Sequence, residues 1–367
     1  MRKNLRLLLS LLFAFVAILT ALVAAHAQNP PSASGKTAAQ EFKNIQVLKD
    51  IPADQLIPAM QFISASLGVE CEFCHVEHAF EKDDKKEKKF ARHMMEMQMN
   101  INKDNFEGKR WVTCYSCHRG ATKPISVPVI SAEEKVPEMM PATTPDKSTY
   151  PKPEALFEKY LAAIGGVDAL TKVTSRVQKG SVTFGNQKSP IEIYAKAPNQ
   201  RVAIVHRKEM DSFTGFDGKI GWMSIPGRVR PMNAQETDGI RMDADVAFAA
   251  HLSSMISKAE VEPGEKLDGH ATWLVTGERE GKPQLKLFFD QQSGLLSRLI
   301  RYTDSPLGLN PLQIDFADYR DSSGVKIPFR WTQARPGNHF TIQIDSVESN
   351  VAIDDTKFSP PPAPPAH

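Results

Sequence analysis

All four cysteines of this 367-residue chain fall in two copies of one five-residue pattern, Cys71-Glu-Phe-Cys74-His75 and Cys114-Tyr-Ser-Cys117-His118. In each copy two thiols stand one helical turn apart, with an imidazole directly after the second. The pattern is a c-type haem attachment signature. The thiols can reach the two vinyl groups of one porphyrin, and the histidine then lies under the iron as proximal ligand. Two copies predict two covalently bound haem c groups, on Cys71, Cys74 and His75 and on Cys114, Cys117 and His118. No cysteine is left for a disulfide or a free nucleophile.

Zinc and dithiol chemistry fit less well. A four-cysteine zinc ribbon needs its two pairs close in sequence, and the stretch from Cys74 to Cys114 exceeds the usual spacing. Zinc also gives no reason for a histidine after both pairs. A thioredoxin-like dithiol belongs beside a βαβ pattern and has no need of duplication.

The amino terminus agrees with haem attachment outside the cytoplasmic membrane. Arg2, Lys3 and Arg6 precede an uncharged apolar run from Leu7 to Ala25, and Ala25-His26-Ala27 offers a cleavage site. Residues 1–27 are therefore expected to be an export signal, and the product periplasmic. The run approaches bilayer-spanning length, so an uncleaved inner-membrane anchor is the alternative. A formal net charge of +2 argues against nucleic acid as a partner. The run Glu81 to Lys89 holds five positive and four negative residues and reads as a solvated face.

Length suggests two domains. The expected plan is a small α-helical dihaem cytochrome domain over residues 28–122 and a Pro-rich linker over 123–152. An α+β antiparallel half-barrel over 153–358 and a flexible tail over 359–367 complete it. In the first half Leu56, Met60, Ile63 and Leu67 form one stripe of an amphipathic helix, which Gly68 is placed to end. Phe90, Met94, Met97 and Ile101 repeat that spacing before the second motif. A thioether is a soft ligand that raises haem potential, so a stripe methionine is the candidate sixth ligand. Met60 is the candidate in the first helix. In the second, Met94 and Met97 share the apolar face, whereas Met95 and Met99 are expected to point elsewhere. His78 and His93 are competing ligands, with surface or supporting roles the commoner fate. Phe73, Trp111 and Tyr115 are expected at haem faces or edges.

These residues resemble a family. Val47-Leu-Lys-Asp50, Met60-Gln-Phe-Ile-Ser-Ala-Ser-Leu-Gly68, the two attachment motifs, Met94-Met-Glu-Met97 with Ile101-Asn102, and Val112 to Gly120 are similar to the cytochrome c subunit of photosynthetic reaction centres. In that family each haem sits on a helix–turn–attachment unit, and three of its four haems take a methionine from the preceding helix. The resemblance implies Met60 as one distal ligand. It also implies Met94, rather than Met97, as the other. It covers residues 42–125, with two attachment motifs instead of four. It implies electron transfer and not enzyme catalysis; service to a photochemical centre does not follow.

The second half reads as β-rich. Expected strands are 176–184, 191–197, 201–206, 212–216, 220–224, 272–277, 285–289, 295–301, 312–319, 329–333 and 340–347. A helix over 154–170, interrupted near Gly165-Gly166, precedes them, and a second over 238–257 divides them. The result is an antiparallel sheet curling round a helix. Tyr160-Leu-Ala-Ala-Ile-Gly-Gly166, Phe216-Asp-Gly-Lys219, Gly221-Trp222, Tyr319-Arg-Asp321, Gly324 to Pro328 and Asn350 to Asp355 loosely resemble the half-barrel of outer-membrane lipoprotein-sorting proteins. That resemblance implies a sheltered lipid or lipoprotein.

His206, His251, His270 and His339 are scattered, with no catalytic constellation. The leading reading is one-electron transfer between redox partner proteins in the periplasm or at the membrane. Its rivals are a haem peroxidase or reductase with one open iron site, and a hydrophobic-ligand carrier with a redox-sensing haem domain.

Overall fold

The computed structural model describes residues 35–124, 147–208, 210–225 and 228–360. The expected export signal, most of the expected Pro-rich linker and most of the expected tail lie outside the described residues.

The amino-terminal part is helical: α1 (Ala38–Glu41), α2 (Leu56–Leu67), α3 (Lys86–Asn105) and α4 (Cys114–His118). Helix α2 ends at Gly68, whose φ is 67° and whose N–H returns to the Ser64 carbonyl. This is a left-handed C-cap that glycine adopts without strain. A side chain there would also collide, because a Cβ would stand 2.2 Å from the Gly120 carbonyl oxygen. Gly120 N–H donates to the Ser66 carbonyl at 2.9 Å. The end of the second motif is thereby stitched to the end of the first helix.

Helices α5 (Pro153–Ala163) and α6 (Val167–Thr171) follow, broken at Gly165-Gly166 as expected. Six strands come next: β1 (Ser175–Phe184), β2 (Gln187–Lys196), β3 (Gln200–Val205), β4 (Ser212–Phe216), β5 (Gly221–Ile225) and β6 (Arg228–Pro231). Helices α7 (Ala234–Ala244) and α8 (Phe248–Met255) cross to the far side. The chain then returns through β7 (Ser257–Pro263), β8 (Thr272–Arg279), β9 (Lys282–Asp290) and β10 (Leu296–Ser305). Strands β11 (Gly308–Ser322), β12 (Val325–Arg335) and β13 (Asn338–Ser349) complete it.

All thirteen strands join one antiparallel sheet in the order β6-β5-β4-β3-β2-β1-β13-β12-β11-β10-β9-β8-β7. Two meanders therefore meet where β13 pairs with β1, with Arg176 opposite Ser349. Alternation sets the faces: Val325, Ile327, Phe329 and Trp331 of β12 are buried at every second position. They pack with Leu156, Phe157 and Tyr160 of α5 and Leu252 of α8. The expected antiparallel sheet around helices is present.

Two expectations are corrected. The helix placed over 238–257 is two helices, parted where Asp245 leaves helical geometry (ψ 102°) and its carboxylate accepts the Ala247 N–H at 2.9 Å. Its last residue already belongs to β7. Strands β6 and β7 extend the sheet beyond the expected set. β7 is exposed at most positions, so it lacks the alternation that marks a strand.

The helical part rests on the tip of the β10–β11 hairpin. Leu307 is fully buried among Leu48, Ala59, Phe62 and Met95. Gly308 lies under the Phe62 ring so closely that a Cβ would stand 2.4 Å from it. Asn310 donates to the Pro58 carbonyl at 2.8 Å, and Arg110 pairs with Asp304 at 2.7 Å. No helix among the described residues is long and apolar enough to cross a membrane.

Candidate haem-attachment sites

Each cysteine motif folds as one tight turn. Cys71–Phe73 is a 3-10 turn, and His75 N–H donates to the Cys71 carbonyl at 3.0 Å. The second motif is α4 itself, opened by a capping box in which Thr113 N–H donates to Ser116 Oγ at 3.0 Å. Both turns set the histidine one turn beyond the first cysteine.

The two imidazoles are oriented alike. His75 Nδ1 lies 2.9 Å from the Phe80 carbonyl oxygen, and His118 Nδ1 lies 2.9 Å from that of Ala121. A carbonyl only accepts, so Nδ1 is the donor, and the neutral ring in that arrangement has its lone pair on Nε2. That is the tautomer a metal-bound histidine requires.

The Phe80 carbonyl has a second donor, the Lys88 ammonium at 2.8 Å, which also donates to Lys82 at 2.8 Å. Lys88 pairs with Asp83 at 3.1 Å, and Arg92 clasps the same carboxylate at 3.0 and 2.9 Å. The Arg92 and Lys88 hydrogen bonds hold the Asp83 carboxyl well below the usual range. The run over 81–89 is solvated as expected except at Lys88, which is buried because the loop after the first motif folds over it.

Helix α3 also fixes the second motif. Asn102 accepts the Val112 N–H at 3.0 Å and donates to its carbonyl at 2.6 Å, with Gln98 adding a donor at 2.7 Å. Both amides are buried. In sequence Asn102 stood out only as part of the family resemblance, and Gln98 only as a polar residue at helical spacing from Met95.

A cleft of about 320 Å³ opens between the two motifs. Cys74, Cys114, His118, Met94, Phe73 and Phe90 are among its walls, joining both motifs to α3. Met60 is half-buried against the cluster around Phe62 and is not among the residues that line the cleft. Met97 is 46% exposed, whereas Met95 is buried in the core, which is where its turn of α3 meets α2. His78 and His93 are exposed beside Glu77 and Glu96. Phe73 borders the cleft; Trp111 packs on Phe106 at 5.5 Å, and Tyr115 is exposed.

The residues fit covalent haem. Five buried apolar residues, one of them borrowed from the β10–β11 hairpin, form the only core cluster described in the helical part. Meanwhile Phe73, Phe80, Phe90, Trp111 and Tyr115 are all more than 40% exposed. So much uncovered aromatic surface around so small a core marks a binding surface for a large apolar group. Burial pushes the Cys74 and Cys114 thiols up, which keeps them as S–H groups. In the second half, His206 lies between Asp211 and Glu192, while His251 and His270 each face one carboxylate, Asp245 and Asp290 respectively.

Comparisons with known proteins fall on the same two regions. The family described as photosynthetic reaction centre cytochrome C subunit matches residues 15–182. The photosynthetic reaction center cytochrome c subunit of Thermochromatium tepidum is 32% identical over 95 residues, 25% of this chain and 24% of that protein. That of Roseobacter denitrificans is 28% identical over 181 residues, 42% of this chain and 48% of that protein. Cytochrome c-554 of Chloroflexus aurantiacus is 33% identical over 85 residues, 21% and 20% of the two chains. The chain thus spans no more than about half the length of these relatives. Among solved structures, a DUF1329 family protein from Desulfovibrio piger covers 56% of this chain and 96% of its own at 13% identity and a TM-score of 0.41. A LolA superfamily protein from Nitrosomonas europaea covers 56% and 97% at 11% identity and a TM-score of 0.39. Through residues 15–182, which include both attachment motifs, the chain is similar to the cytochrome c subunit family of photosynthetic reaction centres.

Proposed function

We propose that the protein is an exported dihaem c-type cytochrome that passes single electrons between redox partner proteins in the periplasm or at the membrane. The observation that carries this reading is the matched pair of imidazoles, each with Nδ1 tied to a backbone carbonyl and Nε2 left for iron. Cys71 and Cys74 hold one haem and Cys114 and Cys117 the other, each thiol adding across a vinyl group. His75 and His118 are the proximal ligands. Met60 and Met94 are the distal ligands, with Met97 the alternative to Met94. Bound haem supplies a one-electron iron couple, whose potential axial ligands and burial set.

The chain's own residues do the rest. Lys88 and Phe80 hold the first imidazole, while Asn102 and Gln98 hold the backbone that leads into the second motif. Residues 28–122 form the cytochrome domain, and residues 153–358 a half-barrel that shelters an apolar ligand or lipoprotein. The test is a challenge of the haem-matured chain with cyanide and hydrogen peroxide. An unchanged absorption spectrum is the expected result. A shifted spectrum with peroxide turnover would move the function to a peroxidase or reductase with an open iron site.

A further inference from the structure

The face of the sheet covered by α5, α7 and α8 holds a second cleft, of about 220 Å³, whose walls are largely apolar yet carry three arginines, Arg176, Arg201 and Arg301. Their partners do not balance. Arg301 takes Asp243 in a two-pronged pair at 2.8 and 2.9 Å, and Arg201 shares the field of that same carboxylate. Asp245, the other carboxylate of the cleft, is engaged by His251 at 2.6 Å and by the Ala247 N–H. Arg176 has neither. Its Nε and Nη2 are buried and make no hydrogen bond. Burial alone, with no opposing charge, pulls its guanidinium down to about 10.

A buried guanidinium edge without an acceptor is costly, and more so than the neutral groups left unpaired elsewhere because it carries charge. The Nε–Nη2 edge has the geometry that carboxylate and phosphate oxygens match in pairs. Around it, Leu299, Ile314, Phe316, Ile327 and Trp331 offer a surface suited to hydrocarbon. Tyr319 directs its hydroxyl proton to the Leu296 carbonyl at 2.9 Å, and Gln178 and Gln333 are the uncharged polar side chains that share the cleft wall.

We propose that this cleft binds an amphipathic anion, its carboxylate or phosphate head on the Nε–Nη2 edge of Arg176 and its hydrocarbon against Leu299, Ile314 and Trp331. The proposal rests on reading the half-barrel as a ligand-holding module and names the chemistry of the ligand. A neutral lipid tail leaves the arginine unpaired, and a small inorganic anion leaves the apolar wall uncovered.

The experiment is calorimetric titration of the full haem-matured chain with laurate, dodecyl phosphate, dodecanol and inorganic phosphate, repeated on Arg176→Met. At least one of the two anionic amphiphiles should bind tenfold or more tighter than dodecanol and than phosphate, and the tighter one identifies the head group. Arg176→Met should weaken that amphiphile at least tenfold and leave dodecanol unchanged. Without ligand, Arg176→Met should melt no lower than the parent, because it removes an unpaired buried charge. Equal binding of dodecanol and the anions, phosphate binding as tightly as the amphiphiles, or a lower melting point for ligand-free Arg176→Met would each overturn the proposal. Absence of all binding while the haem spectrum stays intact would overturn it too, and would leave the electron-transfer reading standing.

Discussion

His75 and Lys88 donate to the same oxygen, the Phe80 carbonyl, at 2.9 and 2.8 Å. A buried ammonium thereby shares the acceptor of the hydrogen bond that orients His75, the proposed proximal ligand. Positive charge near iron favours the ferrous state. It also draws electron density from the carbonyl, which weakens its pull on the imidazole proton. Both effects raise the potential.

Lys88→Met should therefore lower the potential of the haem on the first motif. The shift should be on the order of tens of millivolts for one buried charge at this range. Asp83 and Arg92 keep each other neutralised in that variant. Potentiometric titration should move one redox wave and leave the second in place. An unmoved pair of waves would reduce Lys88 to a structural tie.

Met94 and Met97 stand one helical turn apart, but only Met94 borders the cleft with Cys114 and His118. Met94→Leu should abolish the weak far-red methionine–iron band of one haem. It should also lower that haem's potential on the order of 0.1 V, a fraction of the range axial ligands span. Met97→Leu should change neither.

The attachment motifs were legible because covalent chemistry fixes their residue types and spacing. Gly68 and Gly165-Gly166 were legible as helix stops, since few residues take positive φ there. Many strands of the sheet announced themselves by alternation, as in Ile191, Ile193 and Ala195, whereas the strand expected over 329–333 begins at Val325. What escaped depends on long-range partners. Lys88 sits in a run of charges whose sequence says nothing about which one turns inward. Met95, rather than its neighbours, enters the core because Leu307, more than two hundred residues away in sequence, packs there. The stripe of Phe90 and Met94 is apolar yet open, because it borders the cleft and not the protein core. Arg176 looks like an ordinary strand cation until its missing partner is seen.

Gly308 under Phe62 makes a close joint between the helical part and the sheet. Gly308→Val should force the ring away at a cost of about 1–3 kcal/mol, the usual range for overpacking. Limited proteolysis should then cut faster between the two parts, with haem spectra retained. Unchanged cleavage would mean that the Arg110 and Asn310 contacts suffice.

Burial works to raise the Asp243 carboxyl, but the Arg301 charge and hydrogen bonds, with Arg201 nearby, bring it below the usual range. A carboxyl depressed in the folded state contributes stability above its unfolded value, about 3.9. That contribution is lost as pH falls through the folded value. Urea midpoints should therefore drop on acidification below about pH 4. Asp243→Asn should cost about 3–5 kcal/mol at pH 7, because Arg301 loses its buried partner. Its stability should also decline less steeply in acid. An acid slope equal to that of the parent would place the sensitivity elsewhere.

The central claim is that both motifs carry haem. It is tested most directly by intact mass and absorption of the chain matured with haem, alongside Cys74→Ala/His75→Ala and Cys117→Ala/His118→Ala. The account predicts the mass of two haems on the parent and of one haem on each variant. A parent with a single haem, or with none and a bound zinc ion instead, would contradict it.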